Sequence, residues 1–155
     1  MGFFDRLRRL VPGRPPTPFA RGVRALDRGR LDEAEAAFAQ AALAADAAQL
    51  ALIANKLAIV AIHRGRRDLA VAQLVRALEL NPRSPAAITT VGNLLLEDGD
   101  ADEAVAHYEA AIRIDDAYGP AYHNLGVALH RAGRRGAAVR NLRKASRLEG
   151  RKRRP

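Results

Sequence analysis

The residues with the means to do chemistry are few: His63, His107, His123 and His130, and the carboxylates Asp98, Asp100, Asp102 and Glu103. Histidine could ligate a metal or move a proton, and a carboxylate could join it as ligand or base. Their spacing argues against both roles. His123 and His130 are seven residues apart, which on one helix face is about 10 Å along the axis, too far to share a zinc ion. His63 and His107 have no matching carboxylate constellation. There is no cysteine, so thiolate metal sites, disulfides and cysteine nucleophiles are excluded. The sequence also lacks a nucleophile elbow, a glycine-rich phosphate loop after a strand, and a His-Glu pair at metalloprotease spacing. The acidic run Asp98 to Glu103 has the composition of a turn followed by a helix start. These residues predict a non-catalytic protein without cofactor or metal.

The elements that carry them repeat. Leu57, Gly65, Ala70, Leu74 and Ala77 are followed 34 residues later by Val91, Gly99, Ala104, Tyr108 and Ala111, and after another 34 by Leu125, Gly133, Ala138, Leu142 and Ala145. An upstream copy, Arg21, Gly29, Ala34, Phe38 and Ala41, is offset by 36. Within each unit apolar residues recur at helical spacing, pause at a glycine, and resume. Each unit is therefore expected to be helix, tight turn, helix, with glycine ending the first helix in a left-handed conformation. The composition agrees: apolar residues are 48% of the chain and aromatics 5%, an alanine-swollen balance suited to close helix packing.

This pattern resembles the tetratricopeptide repeat family. The last unit carries it through Tyr122, Leu125, Gly126 and Leu129 in the first helix, then Ala138, Leu142 and Ala145 in the second. Gly92, Leu95, Ala104, Tyr108 and Ala111 carry it in the third unit, Leu57, Ala70, Leu74, Ala77 and Pro82 in the second, and Gly22, Ala34, Phe38 and Ala41 in the first. The small residues Ala58, Gly92 and Gly126 are expected where helices approach closely. The resemblance implies an all-α solenoid of helical hairpins wound as a right-handed superhelix, with hairpins over 15–48, 51–84, 85–118 and 119–150. It also implies a non-catalytic protein-interaction module or assembly scaffold that binds a peptide or helix in a concave groove.

The family places the first helix of each unit on that groove. Carried onto this chain, the lining is Asn55, Ile59, Ile62 and His63, then Thr89, Asn93 and Leu96, then His123, Asn124, Val127 and His130. Asn93 and Asn124 match asparagines that hold a peptide backbone or carboxylate in chaperone-binding members. The basic residues of that carboxylate clamp are not matched, since Thr89, Pro120 and Asn124 stand in their places.

The two ends are basic. The formal charge is +9; residues 1–18 contribute +3 and residues 146–155 contribute +4, leaving +2 between them. Phe3, Phe4, Leu7, Leu10 and Val11 follow a helical stripe with Arg6, Arg8 and Arg9 elsewhere on the wheel, and prolines and a glycine follow. Residues 1–14 therefore read as a basic amphipathic segment and tether, able to dock on a partner, on the array itself, or weakly on an anionic membrane. Peripheral membrane adaptor is the alternative function, and polyanion or nucleic-acid binding through the basic termini, including the tail 151–155, is a second. Scarce aromatics and the lack of an interleaved basic stripe disfavour nucleic acid. No apolar run approaches the roughly 20 residues that span a bilayer, and no secretory leader pattern stands at the N-terminus. A cytoplasmic protein, peripheral at most to a membrane's inner face, is expected.

Overall fold

The computed structural model describes residues 15–152. Among them are eight helices: α1 (Pro18–Asp27), α2 (Leu31–Ala42), α3 (Ala47–His63), α4 (Arg67–Leu80), α5 (Pro85–Asp98), α6 (Ala101–Ile114), α7 (Gly119–Arg131) and α8 (Arg135–Lys152). Consecutive helices pair as four hairpins, and each hairpin packs on the next to form an all-α helical repeat solenoid. Each first helix also lies beside the first helix of the following hairpin.

Local chemistry sets the helix starts. Thr17 accepts a hydrogen bond from the Ala20 amide and precedes Pro18, a residue suited to a first helical turn because it needs no amide partner. Ser84 and Pro85 repeat this device at α5. At α3, Asp46 accepts from the Gln49 amide while the Gln49 side chain accepts from the Asp46 amide. This reciprocal cap starts α3 at Ala47, ahead of the expected hairpin boundary at 51. At the other end α8 continues through Lys152, so Arg151 and Lys152 extend a helix rather than open a separate tail.

Each hairpin bends at a glycine with positive φ, from 68° at Gly65 to 94° at Gly99. At Gly99 the need is plain. Its amide donates to the Leu96 carbonyl at 3.3 Å and the Asp100 amide donates to the Leu95 carbonyl at 2.9 Å, closing α5 with a left-handed residue that a side chain would strain.

The hairpin interiors are built on a reciprocal size rule. A Cβ at Gly22 would stand 2.6 Å from the Phe38 ring, one at Gly92 2.6 Å from the Tyr108 ring, and one at Gly126 2.7 Å from Leu142 Cγ. In the second hairpin the small residue is Ala58, fully buried, and its counterpart across the hairpin is Leu74. Large side chains on the second helix thus enter the space left by small ones on the first, and alanines seal the rest. Ala34, Ala58, Ala70, Ala77, Ala87, Ala104, Ala111, Ala121 and Ala128 have no exposed surface.

Hairpin junctions join these interiors. Ile53 and Val60 of α3 share a cluster with Ala25, Ala34 and Phe38. Ala87 and Leu94 of α5 complete the cluster of the second hairpin. Leu125, Ala128 and Leu129 of α7 join Ala104, Val105 and Tyr108. Ion pairs at the hairpin turns reinforce the stack: Arg64 pairs with Asp32 and, at 3.0 Å, with Glu35; Arg67 pairs with Asp98; and Arg134 lies 3.8 Å from Asp102.

Candidate partner-binding groove

With α1, α3, α5 and α7 side by side, residues one repeat apart fall into rows across the array. Ile59, Asn93 and Val127 form one row and are all half-buried. Leu96 and His130 extend from Ile62 in a second; Ile62 and Leu96 are half-buried and His130 is exposed. Asn55, Thr89 and His123 form a third, but only His123 is exposed. Asn55 and Thr89 are each 3% exposed, so the expectation that they line an open groove is corrected to a place beneath it. Neighbouring first helices on both sides leave these positions no free face. Asn55 Oδ1 and Thr89 Oγ1 have no hydrogen-bond partner among the described residues. His63 is exposed at the edge.

The structure joins Asn93 and Asn124 directly. Asn124 Nδ2 donates to Asn93 Oδ1 at 2.7 Å, and the Tyr108 hydroxyl donates to the same oxygen at 2.9 Å. Three helices, α5, α6 and α7, therefore converge on one carbonyl, which fixes the Asn93 amide plane across a hairpin junction. Among the described residues no hydrogen bond engages Asn93 Nδ2 or Asn124 Oδ1. The free NH2 group of Asn93 and the free carbonyl oxygen of Asn124 can supply a donor and an acceptor, the complement of a backbone peptide unit, which offers one carbonyl and one N–H.

Two further charged residues, Glu97 and Arg131, act on this network, and the groove lining inferred from the sequence omitted them. Burial chiefly raises the Tyr108 pKa from 10.0 to about 12, with the positive charge of Arg131 opposing the shift and the negative charge of Glu97 adding to it. Both charges therefore act on the phenol that holds Asn93. They were legible in the repeat: from His63, steps of 34 residues land on Glu97 and then Arg131. The result is an apolar and amide floor from Ile59 to Val127, edged by charges of both signs.

The histidines do not converge, and no group of three or more metal-ligating side chains occurs among the described residues. No helix among those residues is long and apolar enough to cross a membrane. The anchor residues Phe3, Phe4, Leu7, Leu10, Arg6, Arg8 and Arg9, and residues 153–155 of the tail, lie outside the described residues.

Charge grouped by hairpin differs from the even body inferred from end-to-end counting. The helices and turn of the second hairpin carry five basic residues and two acidic ones; the third carries six acidic residues and only Arg113; the fourth carries nine basic residues and only Glu149. The first hairpin is balanced, with four residues of each sign, so the second, third and fourth hairpins run basic, acidic, basic.

Comparison with known proteins agrees with this architecture. Tetratricopeptide repeat matches cover residues 19–85 and 121–148, and a TPR repeat match covers 92–133. Over 94 residues, 61% of the chain, the sequence is 28% identical to the BBSome complex member bbs-4 of Caenorhabditis elegans, and this covers 20% of that relative's length. Among solved structures, MamA superposes with a TM-score of 0.61 at 24% identity, covering 96% of this chain and 86% of MamA. PilF of Pseudomonas aeruginosa gives 0.67 at 22% identity, over 84% of this chain and 59% of that one. YrrB, described as a TPR protein with an unusual peptide-binding site, gives 0.57 at 25% identity, over 86% of this chain and 68% of YrrB. The repeat matches, the 34-residue period and the four stacked hairpins together show that the chain belongs to the tetratricopeptide repeat family.

Proposed function

We propose that this protein is a non-catalytic interaction module that binds a peptide segment of a protein partner across α3, α5 and α7. The observation that carries this reading is the Asn93 carbonyl held by Tyr108 and Asn124, with Asn93 Nδ2 and Asn124 Oδ1 left to pair with a backbone peptide unit. Because the carbonyl is already oriented, a bound peptide does not bear the full entropic cost of ordering the amide. The row Ile59, Asn93 and Val127 supplies apolar contact on either side of that polar anchor. Glu97 and Arg131 would select among peptides by charge. Family membership supports a protein-interaction role, the peptide-binding site named for YrrB supports the choice of ligand class, and the complex-member description of bbs-4 supports a place in an assembly. The missing basic clamp residues argue for an internal peptide stretch rather than a free C-terminal carboxylate.

The test is peptide selection on the full chain followed by affinity measurement with Asn93→Ala and Asn124→Ala. Removing Asn93 deletes one direct hydrogen bond and leaves a peptide carbonyl unpaired, a loss of about 1–3 kcal/mol of binding. Asn124→Ala likewise deletes a direct hydrogen bond, the one accepted from the peptide N–H, and should weaken the same peptides by a comparable amount while Tyr108 still holds Asn93. Selected peptides that bind both variants as well as the original chain would place recognition elsewhere.

A further inference from the structure

The outer face of α8 is exposed and strongly basic. Its exposed arc holds Arg140, Arg143, Arg147 and Arg151, and none of these makes an ion pair with a carboxylate among the described residues. Lys144 is partly committed, with its ammonium 5.6 Å from the Tyr122 ring centroid. Four unpaired guanidinium groups on one helix repel each other, and nearby negative charge would relieve that repulsion.

The position of this face says what geometry it accepts. On α6, one repeat earlier, the equivalent surface receives α7: Val105 is 9% exposed there and joins the junction core with Ile112. The counterparts on α8 are Val139, which is 45% exposed, and Ser146. Arg143 flanks them. The surface therefore has the form of a hairpin junction with a small apolar seat and a basic edge.

The acidic third hairpin sits between two basic ones, and the turn-edge pairs Arg67 with Asp98 and Arg134 with Asp102 cross those junctions. Those pairs lie at the turn edges, so what the outer face of α8 accepts follows from its own exposed guanidinium groups, whose complement is a set of carboxylates. Stacking of a second copy end to end does not supply it, because the first hairpin is charge-balanced, with four basic and four acidic residues. We infer that the outer face of α8 docks an acidic helical segment of a partner protein, which covers Val139 and pairs its carboxylates with Arg143 and Arg147.

The test uses the full chain and a labelled helical peptide of leucine, alanine and glutamate, with leucines on one face flanked by glutamates. The controls are the same peptide with lysine for glutamate, vesicles containing phosphatidylglycerol, and a single-stranded oligonucleotide. The expected result is saturable binding of the glutamate peptide alone at physiological salt, weakened about tenfold or more by Arg143→Glu with Arg147→Glu. Retention of binding by Arg143→Lys with Arg147→Lys, and a loss with Val139→Arg, are expected alongside. Circular dichroism and the melting temperature confirm that each variant is folded, since all three positions are exposed. Peptide binding that is absent, or indifferent to the charge reversal, overturns the proposal. Tighter binding of vesicles or oligonucleotide that is abolished by the same reversal also overturns it and makes α8 a polyanion surface.

Discussion

The Tyr108 hydroxyl donates to Asn93 Oδ1 at 2.9 Å, tying the second helix of the third hairpin to the face of the first. The ring beneath that hydroxyl is fully buried and fills the space left by Gly92. Tyr108→Phe keeps the ring and removes only the bond, so denaturant unfolding should show a loss of about 0.5–1.5 kcal/mol with an unchanged denaturant slope. Tyr108→Ala empties the site and should cost about 3–5 kcal/mol.

The same residue makes stability fall in strong base. Its pKa is 10.0 when unburied and about 12 in the folded chain, mainly because burial penalises the phenolate. The folded state holds this proton more tightly, so its contribution is complete below about pH 10 and is lost as pH rises toward 12. Tyr118 and Tyr122 are shifted in the same direction, chiefly by burial, with Asp115 adding to both. Tyrosinate absorbance should therefore rise late for all three, and Tyr108→Phe should reduce the alkaline drop in melting temperature. A full tyrosinate signal near the ordinary pKa with the helices intact would contradict this.

Helix packing predicts an order between two similar substitutions. Gly92→Ala sets a methyl against the rigid, hydrogen-bonded Tyr108 ring, whereas Gly126→Ala meets chiefly Leu142, a flexible and only half-buried side chain, with the Ala138 carbonyl oxygen at 3.2 Å limiting how far it can shift. Overpacking costs about 1–3 kcal/mol, while alanine regains about 0.5–1 kcal/mol of helix preference over glycine. Gly92→Ala should lower the melting temperature more than Gly126→Ala, whose tolerance is consistent with Ala58 and Leu74 coexisting in the second hairpin. Gly126→Leu exceeds what Leu142 can yield and should fall at the upper end of that cost.

The partly exposed ion pairs along the turns should add little stability. Arg64 lies 3.0 Å from Glu35 with its side chain 19% exposed, against 42% for the carboxylate. A double-mutant cycle on Arg64→Met and Glu35→Gln should give a coupling of about 0.2–1 kcal/mol that shrinks in concentrated salt. Coupling that is large and insensitive to salt would place this pair in a dry environment instead.

The four hairpins were legible because their determinants are local. Apolar spacing, a turn glycine and the 34-residue offset act within one unit, and each unit has the same reason to fold the same way. Sequence order also held the charge blocks, but their meaning depended on hairpin boundaries, which show an acidic third hairpin between two basic ones. The cap of Asp46 and Gln49 was local too and set the start of α3. What the sequence could not decide was lateral contact. Asn55 and His123 occupy equivalent repeat positions, yet the first is buried and the second exposed, because α3 has a first helix on each side and α7 on only one among the described residues. Likewise, the choice of Asn93 as the carbonyl shared by Tyr108 and Asn124 arises only where three helices separated by 15 and 31 residues meet. Periodicity determines which residues share a face; the packing of neighbouring hairpins determines which of them remain open to a partner.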